Sequence, residues 1–160
     1  MLTSSPREVV DLLKGSTLIH RTGIWLMPVA MLGKDKEPDH AARLNLDAVD
    51  IRTPLLDSLP EGTRFLGLNG DKVLSLLDHI CEHAKGSNCI LVYNVDLLLA
   101  RLRMQERIYV WSQLYNAKPH RKRALLIVMP EGADHLLPPR TALKSWNGDK
   151  RLSATNPIDV

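Results

Sequence analysis

Aromatic residues are nearly missing from this chain of 160 residues, which holds one Phe, three Tyr and only Trp25, Trp111 and Trp146 as tryptophans. Its core must therefore come mainly from Leu, Ile and Val, and a hydrophobic content of 44% supplies enough of them for one compact domain. Cysteine is as scarce. Cys81 and Cys89 alone exclude a disulfide-stapled secreted scaffold. No apolar run reaches the roughly 18–20 residues that cross a bilayer. The opening MLTSSPREVVDLL carries Arg7, Glu8 and Asp11 where a signal peptide would be apolar. These absences set the expectation of a cytoplasmic domain with no membrane partner. Charge is nearly balanced, at +3 with a pI near 9.0. The excess is local: Lys118, Arg121, Lys122 and Arg123 crowd around His120. Such a loop is a candidate nucleic-acid contact, against the plainer reading of solvated charge.

What is present alternates between two periods. Ser5-Pro6-Arg7-Glu8 is a helix start, with a capping serine, a proline suited to the first turn and a glutamate completing the box. Residues 17–20 read as extended and 23–31 as a buried strand that Pro28 ends early or bends. A polar stretch leads to a short helix near 38–44, then a strand over 46–51 and a helix or turn over 53–59. RFLGL, 64–68, reads as a further short strand. Val73, Leu74, Leu77, Ile80 and Cys81 recur at helical spacing after Asn69. CILVYNVDLLLARL opens as a continuous apolar strand of the kind buried in parallel sheets. A helix over 103–115 follows, with Ile108, Trp111, Gln113 and Leu114 expected near its inner face. Residues 124–129 form another buried strand, before a proline-rich segment and a tail. The divisions are an N-terminal helix in 1–16, a core in 17–153 and a tail in 154–160, without internal repeats.

Buried strands alternating with helices predict a three-layer α/β sandwich around a mainly parallel five-stranded sheet. Binding sites in such folds lie at the carboxyl ends of the strands. That rule brings Gly33-Lys34, Asn94–Asp96 and Pro130-Glu131 to one edge of the sheet.

Gly33-Lys34 stands where a phosphate loop, G-x-x-x-x-G-K-[ST], would place its Gly-Lys. The first glycine of that pattern falls on Pro28 and the terminal hydroxyl on Asp35. Phosphoryl transfer needs backbone N–H groups around the phosphates, a lysine on their oxygens and a hydroxyl and a carboxylate on Mg²⁺. Pro28 and Asp35 both work against that set. A plain surface turn is the alternative account of Gly33-Lys34.

ILVYNVDLLL resembles the Walker B strand of AAA+-like P-loop ATPases, four apolar residues followed by Asp-Glu, an apolar residue and Asp. On that pattern Tyr93 takes the place of the Mg²⁺-binding aspartate and Asn94 that of the water-activating glutamate, while Asp96 keeps the family residue. LLIVMPE falls where the family carries its sensor strand, without the polar sensor. The small size, the asparagine-bearing strand and Ser145-Trp-Asn-Gly148 are further similar to the small P-loop accessory proteins of BREX-type phage-defence systems. The resemblance implies a degenerate P-loop-like domain, a pseudo-ATPase with no catalytic residue and no required cofactor. It further implies an adaptor or scaffold role beside larger subunits of an anti-phage defence complex. Two alternatives stay open. One is a nucleotide-binding switch that holds ATP and Mg²⁺ through Gly33, Lys34 and Asp96 without efficient hydrolysis. The other is a DNA- or RNA-binding adaptor using the 118–123 loop.

Two bland readings complete the picture. His79 and His83 share a helix face beside Cys81 and Glu82, but no second Cys/His pair completes a zinc set, so no metal is expected. Asp96 suits the cap of the helix after its strand, and Trp111 and Tyr115 suit packing rather than base stacking.

Overall fold

Ser5 and Glu8 form the expected box: the Ser5 hydroxyl accepts the Glu8 N–H at 3.2 Å, and the Glu8 carboxylate accepts the Ser5 N–H at 3.3 Å. Helix α1, Pro6–Lys14, begins there and buries Val9, Val10 and Leu13. The computed structural model describes residues 2–15, 21–57, 67–84, 86, 88–116 and 122–160. Strand β1, Thr22–Met27, is buried along its whole length. It stops before Pro28, which cannot donate to a ladder, and a 3-10 turn, Val29–Met31, takes the remainder of the expected strand.

Helix α2, Lys36–Arg43, precedes strand β2, Asp47–Asp50. Helix α3, Arg52–Asp57, and helix α4, Gly70–His83, follow. Asn69 caps α4 by accepting the Lys72 N–H at 2.8 Å. Strand β3, Cys89–Tyr93, runs into helix α5, Val95–Leu99, and helix α6, Met104–Asn116, then leads to strand β4, Ala124–Pro130. Helix α7, Arg140–Gly148, and strand β5, Leu152–Ser153, close the sheet.

The sheet has five strands in the order β2-β3-β4-β1-β5, and every pairing is parallel. Although β1, β3 and β4 are apolar throughout, alternate residues still choose opposite faces. Trp25, Met27, Leu91, Leu126 and Val128 pack with α1 and α2. Ile24, Leu26, Ile90, Val92, Ile127 and Met129 pack with α4, α5, α6 and α7. Three layers result. Gly23 lets α1 close onto β1, since a Cβ there would lie 2.8 Å from Val9 Cγ1 and 3.0 Å from Leu13 Cδ1.

Neighbouring strands β1 and β4 send their chains to opposite faces, β1 into α2 and β4 toward α7. Their carboxyl ends therefore open a crevice, the topological switch point at which doubly wound sheets bind ligands.

Several expectations shift. The fifth strand is β5; residues 67–68 are not strand, and 64–66 lie outside the described residues, as do 17–20. A strand of two residues carries no periodicity, so β5 was illegible. Helix α7 hides behind Pro138-Pro139, yet a proline just before a helix is compatible with starting one. On α6 the inner stripe is Val110, Trp111 and Leu114, whereas Ile108 is 42% exposed at its border and Gln113 only half-buried. Among the described residues no helix is long and apolar enough to cross a membrane.

Candidate functional site

The loop after β1 turns through three consecutive residues with left-handed backbone: Gly33 at φ 80°, Lys34 at 51° and Asp35 at 59°. Glycine takes that conformation freely, but Lys34 and Asp35 each pay roughly 1 kcal/mol for it. Helix α2 holds the turn in place. The Glu37 carboxylate accepts the Gly33 N–H at 2.7 Å, and Lys36 Nζ donates to the Ala30 carbonyl at 2.6 Å. His40 Nε2 lies 2.7 Å from the Met31 carbonyl. A carbonyl only accepts, so Nε2 carries the proton of that bond, while Nδ1 is buried with no hydrogen-bond partner among the described residues.

On the other side of the switch point, β3 ends at Tyr93 and Asn94 turns left-handed at φ 65°. Asn94 occupies the cap position of α5 but makes no capping bond. Its Nδ2 donates instead to Asp50 Oδ2 at 3.0 Å. The cap position of α5 thus belongs to Asn94 and not, as expected, to Asp96, which sits in the first turn with its carboxylate near the Asp96 and Leu97 amides. Arg52 grips the same Asp50 carboxylate, with NH2 at 2.8 Å and its backbone N–H at 2.9 Å. Burial by itself would raise the Asp50 pKa, but the Arg52 and Asn94 bonds outweigh it and hold it below 3.8. Asp96 goes the other way: burial first, and the nearby Glu37 charge among the lesser causes, raise its pKa above 3.8. Burial and the carboxylates of Asp50, Glu37 and Asp35 likewise raise the Tyr93 phenol above 10.0.

These segments enclose a cleft of about 240 Å³. Val29, Leu32 and Gly33 line it from the β1 loop, Glu37 from α2, Tyr93, Asn94 and Asp96 from the end of β3, and Val128 and Pro130 from β4. Gly33, Asn94, Asp96 and Pro130 therefore meet as the sheet rule anticipates. Lys34 does not join them: it is exposed and outside the lining. Glu131 is exposed as well, its N–H held by the Met27 carbonyl at 2.7 Å. Among the described residues, the only charged side chains lining the cleft are the carboxylates Glu37 and Asp96. A phosphate there would meet negative charge and find its loop amide already taken.

The basic loop lies elsewhere. Lys118 and Arg121 fall outside the described residues. Lys122 is exposed, and Arg123 NH1 donates to the Cys81 carbonyl at 2.8 Å, which ties that guanidinium to α4. Both precede β4, whose seven residues span roughly 20 Å. Lys122 and Arg123 therefore stand at the end of the sheet opposite Lys34 and share no basic face with it. His79 and His83 stack with ring centroids 4.2 Å apart on an exposed face of α4. Among the described residues no group of three His, Cys, Asp or Glu could hold a metal ion. Trp111 and Tyr115 pack edge-on against Trp146.

Sequence reasoning missed Lys36, Glu37 and His40, the side chains that build the loop. Their signal was the spacing of Glu37 and His40, three apart on a helix that follows Gly-Lys. Comparison with models of known protein families gives no match, and comparison with curated proteins gives none either.

Proposed function

We propose that this chain is a non-catalytic AAA+-like subunit, a pseudo-ATPase that serves as an adaptor or scaffold in a larger assembly. The observation that carries the reading is the Glu37–Gly33 bond of 2.7 Å, which fills the loop's anion position with the chain's own carboxylate. Three further features support it. Tyr93 and Asn94 stand where a Mg²⁺ carboxylate and a base would be needed, so the hydrolytic water has no activator. Among the described residues no lysine or arginine lines the cleft. Strand β4 lies between β1 and β3, so loop, Walker B-like strand and sensor-like strand still face one crevice. The architecture of a nucleotide site is retained while its chemistry is inverted.

The similarity to small accessory proteins of phage-defence systems makes anti-phage defence the proposed setting, beside larger ATPase and DNA-modifying subunits. Titration calorimetry with ATP and Mg²⁺ tests the core of the reading. The expected result is no heat of binding at millimolar nucleotide, and saturable heat overturns it. Genes for defence-type ATPases beside this one would support the setting, and a metabolic operon would overturn it.

A further inference from the structure

The cleft holds a carboxylate that has no ion pair among the described residues. Glu37 is only 3% exposed, yet it lines the cleft. Its Oε1 accepts the Gly33 N–H, and the carboxylate makes no other hydrogen bond or ion pair among the described residues. Oε2 accepts no hydrogen bond among the described residues and, unlike the sealed His40 Nδ1, keeps contact with the solvent of the cleft. A second carboxylate, Asp96, lines the same space with no salt bridge among the described residues, feeling the Arg52 charge only as a minor influence. The Arg52 side chain pairs with Asp50 instead.

A carboxylate set mostly into the protein without an ion pair favours an arriving cation, because part of the desolvation cost on the acidic side has already been met. The walls suit a cation carried on an alkyl stem. Val29, Leu32, Val128 and Pro130 are apolar, while the carboxylates come from Glu37 and Asp96. At about 240 Å³ the cleft is smaller than the ~300–1,000 Å³ pockets that enclose drug-sized ligands, and it suits one side chain. On the side of the β1 loop the apolar lining reaches the surface, where Val29 is 68% exposed. A charged centre with an apolar surround is how a protein partner is anchored, with arginine prominent among anchors.

We propose that this cleft receives the basic side chain, arginine or lysine, of a protein partner, an inference that rests on the reading of the site as a phosphate-free pocket. Charge complementarity names the partner's chemistry: an exposed arginine or lysine flanked by apolar residues.

Backbone amide NMR on the full chain tests this with N-acetyl-arginine methylamide, its lysine counterpart and the uncharged citrulline analogue as probes. The expected result is saturable, salt-sensitive shifts at Gly33, Asn94 and Asp96 with a basic probe and none with citrulline. Glu37→Gln is expected to weaken that binding about tenfold. Asp96→Asn, expected to weaken it too, stands in should Glu37→Gln not fold. No saturable shift with either basic probe, equal shifts with citrulline, or equal shifts with Mg²⁺ alone would overturn the proposal. Saturable shifts with ATP and Mg²⁺ at the same amides would instead sink the pseudo-ATPase reading, whatever the arginine probe does.

Discussion

The Glu37 carboxylate lies 2.7 Å from the Gly33 nitrogen, so a side chain from the first turn of α2 seals the loop that leads into that helix. Hydrogen bonds to charged acceptors contribute about 1.5–3 kcal/mol. Glu37→Ala is expected to lower unfolding stability by about 1–3 kcal/mol and to speed hydrogen exchange at Gly33. Glu37→Gln, which keeps an acceptor oxygen, is expected to cost less. Unchanged Gly33 exchange in Glu37→Ala would show that this bond does not hold the turn.

Asp50 makes acid resistance depend on Asn94. Its folded pKa lies below 3.8, so the stability it contributes is present above 3.8 and lost as pH falls through the folded value. Asn94→Ala removes one donor and is expected to move the Asp50 pKa up toward 3.8. Carboxyl-carbon NMR titration reads that shift directly, and an unmoved Asp50 would refute the coupling.

Asp96 has the opposite sign. Its folded pKa lies above 3.8, so below 3.8 both states are protonated and it costs nothing. As pH rises through the folded value the carboxylate ionises at a penalty, and stability falls. Asp96→Asn is thus expected to unfold at higher denaturant than the parent at neutral pH. The gain should vanish below pH 3.8. A pH-independent difference would point to packing or helix-start effects instead.

Arg151 is only 2% exposed and donates to three carbonyls, of Thr22 at 2.8 Å and of Leu114 and Tyr115 at 3.2 Å. Its guanidinium also lies over the Trp146 and Tyr115 rings, 4.4 and 4.7 Å from their centroids. Arg151→Ala orphans those carbonyls and is expected to cost about 3 kcal/mol or more. Arg151→Lys should recover only part of this, because an ammonium cannot reproduce a planar fork stacked on two rings. Thermal unfolding of both variants checks the order.

Cys89 is fully buried, and burial pushes its thiol up to about 12. Cys81 is also buried. Neither is expected to react with a disulfide reagent near neutral pH until the chain unfolds, since the thiolate is the reactive form. Fast modification of the native protein would contradict the burial of both.

How much of this was legible differs by element. The runs at β1, β3 and β4 declare buried parallel strands because nothing polar interrupts them, and the Ser5–Glu8 box declares α1. The sheet rule brings Gly33-Lys34, Asn94–Asp96 and Pro130-Glu131 to one edge, and of these Gly33, Asn94, Asp96 and Pro130 line the cleft while Lys34 and Glu131 do not. Helix α7 and β5 were not legible, because prolines masked the one and two residues carry no pattern in the other. Lys34 was the wrong lysine: motif spacing selects it, but left-handed backbone at Gly33, Lys34 and Asp35 leaves it exposed and outside the cleft, while Lys36 folds over the loop.

The sequence by itself determined a parallel α/β sandwich with Pro28, Asp35, Tyr93 and Asn94 at positions where phosphoryl chemistry would need other residues, because periodicity and residue type are local properties. Only the tertiary structure decided how the side chains at that edge of the sheet engage one another. Whether Glu37 points to water or onto the Gly33 amide depends on how α2 leaves the loop. Whether Arg52 bridges Asp96 or Asp50 depends on where β2 delivers Asp50, through a crossover that no local pattern records.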